Sequence, residues 1–403
     1  MDHGIRNADG LQEPRRPVSL GALIHEQVRH AIEVAVGEEL AIALAARPYE
    51  RNGARRGYRN GRKARTVSGP TGPLPLTLPR ATIFGSAGAR EWQSTIVPRY
   101  ARRAAEVNAA VVATYLAGTN TRRIRGALAP LLKGAALSKS AVSRVVGTLR
   151  ESLQTWMSRS LAEVDGIVLY LDAIALRVRS AGRVVSLPVL GAVGVLPDGR
   201  KQLLALECCG AESAAAWRGF IEDLARRGLA APLLCIIDGN PGLRRAVGEI
   251  WPTALVQRCC VHKLRNLERK APKHALAELR DDFHRIVYAA GADSAHAELT
   301  GFERKWAKRC PGVVRSLQEG GAELLTFFTF PRAQWKTLRT TNVIERLNGE
   351  FRRRVKTQSA LPSEDTAVVL LFSLVASGQI RLRRIDGWRK IAAVLRQRAR
   401  VAA

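Results

Sequence analysis

The sequence lacks any apolar run long enough to cross a membrane. Its longest run, residues 367–376, falls well short of the roughly 20 residues that a membrane-spanning helix needs, and is typical of a buried helix. The first twenty residues mix acidic, basic and proline residues without the apolar segment of a secretory signal. We therefore expect a soluble, cytosolic protein with no membrane partner.

Cysteine is also scarce, with six in 403 residues. Most of the six stand inside apolar segments, as reduced cysteines of a protein core do. They are Cys208, Cys209, Cys235, Cys259, Cys260 and Cys310. This usage is consistent with a cytosolic compartment.

Acidic residues are few relative to basic ones. The chain has 35 Asp and Glu residues and 64 Lys and Arg residues, which gives a net charge of +29. The surplus is spread along the whole chain rather than held in one tail. A surplus of this size favours polyanions through counterion release, so nucleic acid is the leading partner and an anionic membrane surface the weaker one. With 46% hydrophobic residues, the chain can form two or three globular domains.

The amino-terminal part of the chain reads as helical and basic. We expect disorder over residues 1–20 and a DNA-binding region over residues 21–156. Apolar residues recur at helical spacing over residues 20–46, which predicts one or two amphipathic helices. Residues 47–80 are rich in Gly, Pro, Arg and Asn, and are either a loop that approaches a phosphate backbone or a solvated loop. Alternating leucines near the end of this stretch predict a short strand.

Residues 100–156 read as helices with a turn near Gly134. Ser138 and Ser140 are candidate caps. Two successive apolar faces comprise Ile124, Leu128 and Leu131, then Val142, Val145 and Leu149. Helices joined by a short turn, with basic side chains outward, fit a helix-turn-helix on duplex DNA, although ordinary helical pairs share this pattern.

From Ile167 the pattern changes to strands. Three consecutive strands could form a meander, after which helix and strand alternate. The predicted strands are residues 167–178, 184–195, 201–208, 233–237 and 254–259. This order predicts an α/β catalytic core with a ribonuclease H-like mixed sheet flanked by helices. The core would comprise residues 160–262 and 336–380, interrupted by an all-α insertion at residues 263–335 and followed by a basic helix or tail at residues 381–403.

Three carboxylates far apart in the sequence are candidate catalytic residues and metal ligands. Asp172 interrupts a buried strand, Asp238 ends a later strand, and Glu345 stands near the start of a helix. In such a sheet the first and fourth strands are neighbours, which would place Asp172 beside Asp238. Converging carboxylates repel one another unless a divalent cation is present. Two Mg²⁺ ions, or Mn²⁺ in their place, ~4 Å apart would activate a water or a 3′ hydroxyl at a phosphodiester.

Each carboxylate also has a purely structural interpretation. Asp172 could hydrogen-bond a turn at its strand end, and Asp238 could be a turn residue before Gly239. Glu345 could close a capping box that has Asn342 as its N-cap.

Seven short motifs carry a resemblance to a known family. They are residues 56–61 (RGYRNG), 74–80 (LPLTLPR), 169–173 (LYLDA), 238–243 (DGNPGL), 257–266 (QRCCVHKLRN), 340–348 (TTNVIERLN) and 352–356 (RRRVK). With these motifs in family order over roughly residues 47–375, the chain resembles the Mutator-like transposases of bacterial insertion sequences.

The resemblance implies a DDE transposase with a ribonuclease H-like core and a helical insertion. It implies that Asp172, Asp238 and Glu345 are the first, second and third catalytic carboxylates. Cys259 and His262 match the family's C-x-x-H motif near the active site.

The resemblance also implies an insertion domain over residues 263–334. The family's insertion domain contains a tryptophan, and Trp306 would correspond to it. Asn240 and Pro241 fall at positions where relatives vary. The implied partners are double-stranded DNA, as terminal inverted repeats and as target, and further copies of the chain in a homodimer or higher oligomer. The implied location is the bacterial cytoplasm, in association with the nucleoid.

Basic and amide side chains within these motifs and the predicted helix pair are the candidate DNA contacts. They are Arg56, Arg59, Asn60, Arg62, Arg123, Lys139, Arg144, Lys263, Arg265, Arg346, Arg352 and Arg353.

Rival interpretations remain open on the sequence alone. The chain could be a DNA-binding regulator with structural carboxylates, or a ribonuclease H-like nuclease or resolvase that hydrolyses without joining ends. Cys259 and His262 invite a zinc interpretation, but a structural zinc needs four ligands and the chain offers no C-x-x-C or H-x-x-x-H pair to complete them. We expect His262 instead to hydrogen-bond a carboxylate or a DNA phosphate.

Overall fold

The computed structural model of the chain describes residues 19–86, 88–135 and 137–391. Within these ranges the chain forms two compact units, one of residues 19–115 with 120–145 and the other of residues 116–119 with 146–391. Disorder was predicted for residues 1–20, of which residues 1–18 lie outside the described residues, whereas Ser19 and Leu20 begin a helix and correct the prediction there. The last part of the basic tail, residues 392–403, also lies outside the described residues.

The first unit joins one long helix to a small sheet. Helix α1 (Leu20–Leu44) begins at the N-cap Ser19, whose side chain accepts the Ala22 N–H. Strands β1 (Gly57–Gly69), β2 (Gly72–Gly85) and β3 (Gly88–Glu91) follow in antiparallel order β1-β2-β3. The buried face of α1 packs against alternate leucines of β2, so the predicted helix and strand together enclose this core.

The motif RGYRNG is a strand rather than the loop that its composition suggested. Tyr58 to Arg62 lie within β1, and the register with β2 shifts between Arg59 and Arg62. Gly61 sits in this irregularity with a left-handed φ of 77°, a conformation that glycine adopts without strain. Glycine therefore fits the irregular backbone at this point of the strand. The basic side chains extend from a backbone that pairs with β2.

Three helices complete the first unit and lead into the second: α2 (Ala105–Leu116), α3 (Thr121–Leu132) and α4 (Lys139–Ser158). Asn120 caps α3, Gly134 follows with a φ of 86°, and Ser138 accepts the Ala141 N–H at the start of α4. The predicted turn is confirmed, but the buried face of α3 holds Leu132, whereas Leu131 is exposed.

A five-stranded mixed sheet forms the centre of the second unit. Its strands are β4 (Val168–Ser180), β5 (Arg183–Val195), β6 (Lys201–Cys208), β7 (Leu234–Ile237) and β8 (Leu255–Arg258), in the order β6-β5-β4-β7-β8. The first three are an antiparallel meander, as predicted, and β7 and β8 add in parallel beside β4. Helices α5 (Ala214–Arg226) and α6 (Pro241–Ile250) belong to a buried core that includes Leu169 and Leu171 of β4.

The chain after β8 is helical. It contains α7 (Cys260–Glu268), α8 (Leu276–Val287), α9 (Ala292–Arg309), α10 (Pro311–Gly320), α11 (Arg332–Leu338), α12 (Asn342–Lys356) and α13 (Glu364–Ala376), with short 3₁₀ turns between some of them. Helices α12 and α13 pack on β4, and α13 also packs on β6. Among the helices that the structure describes, none is both long and apolar enough to cross a bilayer.

Candidate active site

Strand pairing explains why the two aspartates meet. In β4, Leu169 and Leu171 belong to the core on one face, so Tyr170 and Asp172 point to the opposite face, on which Tyr170 Oη donates to the Thr337 carbonyl. Tyr170 pairs in parallel with Ile236 of β7. Asp172 lies two residues beyond Tyr170 and Asp238 two residues beyond Ile236, so the two aspartates are neighbours on adjacent parallel chain segments.

The surroundings of Asp172 make its negative charge costly. The pKa of Asp172 is raised to about 7, first by burial and next by the negative charge of Asp238. His262 opposes this effect, while Glu345 adds to it. Asp172 is therefore repelled by both of the other predicted carboxylates, and a cation would relieve this repulsion.

Helix α12 brings Glu345 and a second polar side chain to the site. Asn348 is one helical turn from Glu345 on the same face, and its Nδ2 donates to Asp172 Oδ2 at 2.9 Å. The N-cap of α12 is Thr341, not Asn342, which is the first helical residue. The capping-box interpretation of Glu345 is therefore wrong, because Glu345 accepts the Thr341 hydroxyl at 2.6 Å instead of reaching back to a cap N–H.

Asp238 does take part in a turn. Its Oδ1 accepts the Asn240 N–H at 2.8 Å, and the Asn240 side chain in turn caps α6, in which Pro241 is the first residue. The turn engages one carboxylate oxygen and orients the carboxylate at the end of β7. The structural and the catalytic interpretation of Asp238 are thus compatible.

Cys259, His262 and Glu345 meet around Thr341. Their ligand atoms lie within 4.8 Å of one another. The Thr341 N–H donates to Cys259 Sγ at 3.3 Å, Thr341 Oγ1 lies 3.4 Å from His262 Nδ1, and His262 Nε2 lies 3.7 Å from Glu345 Oε1. Thr341 therefore connects the C-x-x-H motif to the predicted third carboxylate.

Hydrogen bonding within this group shifts two pKa values in opposite directions. The hydrogen bond to Cys259 raises the pKa of His262 to about 9, with help from Glu345 and Asp172 and against burial. Burial raises the pKa of Cys259, but hydrogen bonds from His262 and Thr341 outweigh it, so that the net shift is downward. His262 is consequently a cation at neutral pH and places positive charge beside Glu345.

Two residue sets could hold metal, and they share Glu345. Asp172, Asp238 and Glu345 offer hard oxygen ligands, the kind that Mg²⁺ and Mn²⁺ prefer, and the raised pKa of Asp172 indicates a deficit of positive charge. Cys259, His262 and Glu345 offer the softer set that zinc accepts, but they provide three ligands where a structural zinc needs four. The three partly buried carboxylates fit a divalent cation with oxygen ligands better.

Most of the predicted DNA contacts are exposed, and one is not. Lys263 is only 3% exposed, and its Nζ donates to the Ser316 carbonyl at 2.7 Å. It therefore joins α7 to α10, and its burial argues against the predicted contact with DNA. Arg59 and Asn60 are tied to neighbouring residues, because Arg59 donates to the Ala46 carbonyl and Asn60 donates to Thr82 Oγ1.

The remaining predicted contacts offer charge at the surface. On the first unit, and on α7 and α12 of the second, the exposed residues are Arg56, Arg62, Arg123, Lys139, Arg144, Arg265, Arg346, Arg352 and Arg353. Arg353 forms an ion pair with Glu350.

Sequence reasoning missed the roles of Thr341 and Asn348. A signal was present, because the two flank Glu345 at i−4 and i+3, and helix geometry brings such residues together. The sequence could not show which groups they would meet, since Cys259 and Asp172 come from other elements.

Comparisons with known proteins agree on one family. The model of the family described as "Transposase, Mutator family" matches residues 5–381. A relative that is 36% identical over 87% of this chain and 86% of its own length is a transposase for insertion sequence element ISRM5 of Rhizobium meliloti. A relative 34% identical over 87% of this chain and 89% of its own length is a transposase for IS406 of Burkholderia multivorans. A third, 30% identical over 92% of this chain and 88% of its own length, is a transposase for IS1081 of Mycobacterium tuberculosis.

Proposed function

The chain belongs to the Mutator family of transposases, and we propose that it binds the terminal inverted repeats of its insertion sequence and catalyses metal-dependent DNA strand cleavage and strand transfer. The observation that carries the proposal is the place of Asp172 beside Asp238, where burial and the charges of Asp238 and Glu345 raise the pKa of Asp172. These residues are distant in the sequence, and a regulator has no need to hold three repelling carboxylates together.

We assign the core of the second unit to the ribonuclease H-like class. The support is the meander followed by a parallel strand beside the first one, with Asp172 and Asp238 on the neighbouring strands. The helices from α7 to α11 would then be the insertion that precedes the helix of Glu345.

Asp172, Asp238 and Glu345 would hold two Mg²⁺ ions, or Mn²⁺. Bound there, these ions supply Lewis-acid activation of a water or 3′ hydroxyl and stabilise the leaving oxygen. The chain's own residues prepare the site: Asn348 fixes the orientation of the Asp172 carboxylate, and Thr341 fixes that of Glu345. His262 carries a proton and offers positive charge next to Glu345, where a DNA phosphate would approach.

The experiment is incubation of the purified full chain with labelled DNA that carries the element's ends. We expect nicks at the element boundary and joined products when Mg²⁺ or Mn²⁺ is present, and neither with EDTA. Cleavage without joining would indicate a nuclease or resolvase, and specific binding without cleavage in any metal would indicate a regulator.

A further inference from the structure

The segment that follows α13 is fixed at both ends. The Ile380 N–H donates to the Leu374 carbonyl at 2.9 Å, and the Ile385 N–H donates to the Gly199 carbonyl at 3.0 Å. Gly199 has a left-handed φ of 78°, and a Cβ there would lie 2.2 Å from Trp388 Cβ, so only glycine permits this contact. We call residues 380–385 the strap. It holds its arginines at set positions beside the start of β6.

A basic cavity of about 600 Å³ lies between the strap and α12. Its charged lining residues are Lys201, Arg346, Arg353, Arg381, Arg383 and one acid, Glu350. Glu350 pairs with Arg353, but within the described residues no carboxylate lies within 4.0 Å of the other four basic groups. Burial and the charge of Arg346 lower the pKa of Lys201. Asp386 partly offsets this lowering, but five basic side chains line the cavity beside the single acid Glu350, and such clustered cations attract phosphate.

An apolar cavity of about 410 Å³ adjoins the basic one. Its lining residues include Trp156, Leu203, Phe372 and Val375, and the Trp156 and Phe372 rings lie 4.9 Å apart. The two cavities share three lining residues, which are Lys201, Ile380 and Leu382. Along the strap, Arg381 and Arg383 therefore face the basic cavity, while Ile380 and Leu382 line the wall common to both.

We propose that the two cavities together bind unpaired nucleotides of a DNA strand, with phosphates in the basic cavity and a base in the apolar one. Paired bases are stacked inside a duplex and expose only their edges in the grooves, so a duplex has no free base face to occupy the apolar cavity. Sites for single strands combine a basic track with apolar or aromatic surface in this way. The inference rests on the proposed function for the source of the strand, because α12 carries both Arg346 and Glu345.

The test measures binding alone, with full-length protein in EDTA and fluorescently labelled DNA. The probes are a blunt duplex, the same duplex with a short single-stranded tail, and the same tail without bases. We expect the tail to increase affinity about tenfold, and most of this gain to vanish when the bases are removed. Running the probes on both terminal-repeat and random duplexes shows whether element or target DNA supplies the strand.

Charge variants locate the site. The double variant Arg381→Gln/Arg383→Gln should reduce the preference for the tail and lower the salt slope of log affinity by about 1.4, since each single-strand phosphate contributes about 0.7. The matched control Arg389→Gln/Lys390→Gln removes the same charge from the turn that follows the strap, outside the cavity, and should leave the preference intact. Leu382→Ser should weaken binding of the tail with bases but not of the tail without them.

Equal binding of the blunt and tailed duplexes, or of tails with and without bases, would overturn the proposal. The proposal would also be overturned if Arg381→Gln/Arg383→Gln and Arg389→Gln/Lys390→Gln showed the same preference for the tailed duplex. A preserved tail preference in a protein that never cleaves DNA would refute the proposed function and leave this site standing. Cleavage of DNA without any preference for the tailed duplex would support the proposed function and refute this binding site.

Discussion

The carboxylates of Asp172, Asp238 and Glu345 can be tested with variants that keep their internal hydrogen bonds. Asp172→Asn, Asp238→Asn and Glu345→Gln each retain an oxygen that accepts the bond from Asn348, Asn240 or Thr341. We expect each to reduce cleavage at least about a hundredfold with little change in DNA affinity, because the metals act mainly in the transition state. Cleavage of labelled element ends and binding to the same DNA would be measured side by side.

Glu222→Gln is a matched control, since it removes an exposed acid of α5 that pairs with Arg218 on the protein surface. Asp172→Asn should also raise the unfolding temperature without metal, because it removes a buried charge that Asp238 repels. Near-normal cleavage by any of the three variants would remove that residue from the site.

Thr341 and Asn348 are positioning residues, and their loss should weaken metal binding rather than DNA binding. We expect Asn348→Ala and Thr341→Val each to reduce cleavage about 10- to 100-fold and to raise the Mg²⁺ concentration needed for half-maximal rate. Thr341→Ser keeps the hydroxyl and should restore most of the activity. An unchanged Mg²⁺ dependence in both variants would show that they act on folding only.

His262 tests the choice between an electrostatic and a zinc role for the C-x-x-H motif. We expect His262→Ala to impair cleavage more than folding, since it removes a positive charge beside Glu345, and we expect purified protein to contain no stoichiometric zinc. Metal analysis of the purified protein and thermal unfolding of the variant check both points. One tightly bound zinc per chain that disappears in Cys259→Ser would make the motif structural.

At the scale of single residues, the sequence predicted the ends of strands better than the contacts between helices. Asp172 and Asp238 could be paired in advance because each ends or interrupts an apolar run of a recognisable strand. Lys263 could not be assigned correctly, because its burial depends on Ser316 of α10 approaching α7. No local pattern in the sequence encodes that approach.

At the scale of elements, α8 and α9 are held together by a buried acid. Asp282 of α8 is 3% exposed, and its Oδ2 accepts Trp306 Nε1–H at 2.8 Å and lies 2.7 Å from Lys305 Nζ. We expect Trp306→Phe to lower the unfolding temperature by a few degrees, because it removes a donor to a buried carboxylate. Tyr288→Phe changes an exposed ring and should have little effect. No difference between the two variants in a thermal scan would contradict this role.

The strands whose positions were predicted well are those with a recognisable pattern of apolar residues. The ends of strands β4 to β8 lie within two residues of the predicted ranges, because apolar, β-branched runs were bounded by turn residues. Strand β1 was missed since its glycines and arginines resemble a loop, and its pairing depends on β2. Strand β3 was missed because its four residues are all exposed and include no apolar run that would indicate a strand.

At the scale of the whole molecule, recognition of the element ends should reside in the amino-terminal part. A fragment that ends at Ser158 keeps α4 whole and includes the cores between α1 and β2. We expect it to bind terminal-repeat duplex in preference to random duplex, with log affinity falling by about 0.9 per neutralised phosphate against log salt. Equal affinity for both sequences would move end recognition to another part of the chain.

The position of Glu345 in the chain has a consequence during synthesis. Glu345 lies on α12, long after the last residue of the first unit, Val145. A bacterial ribosome adds about 5–20 residues per second, so roughly 10 to 40 s separate the translation of these two positions. A growing chain would thus possess the part that we expect to recognise DNA well before Glu345, the proposed third carboxylate, exists. Where the messenger RNA is translated while it is still being transcribed, the growing chain would lie close to its own gene. It would then bind the nearest copy of its own element before it is able to cleave DNA.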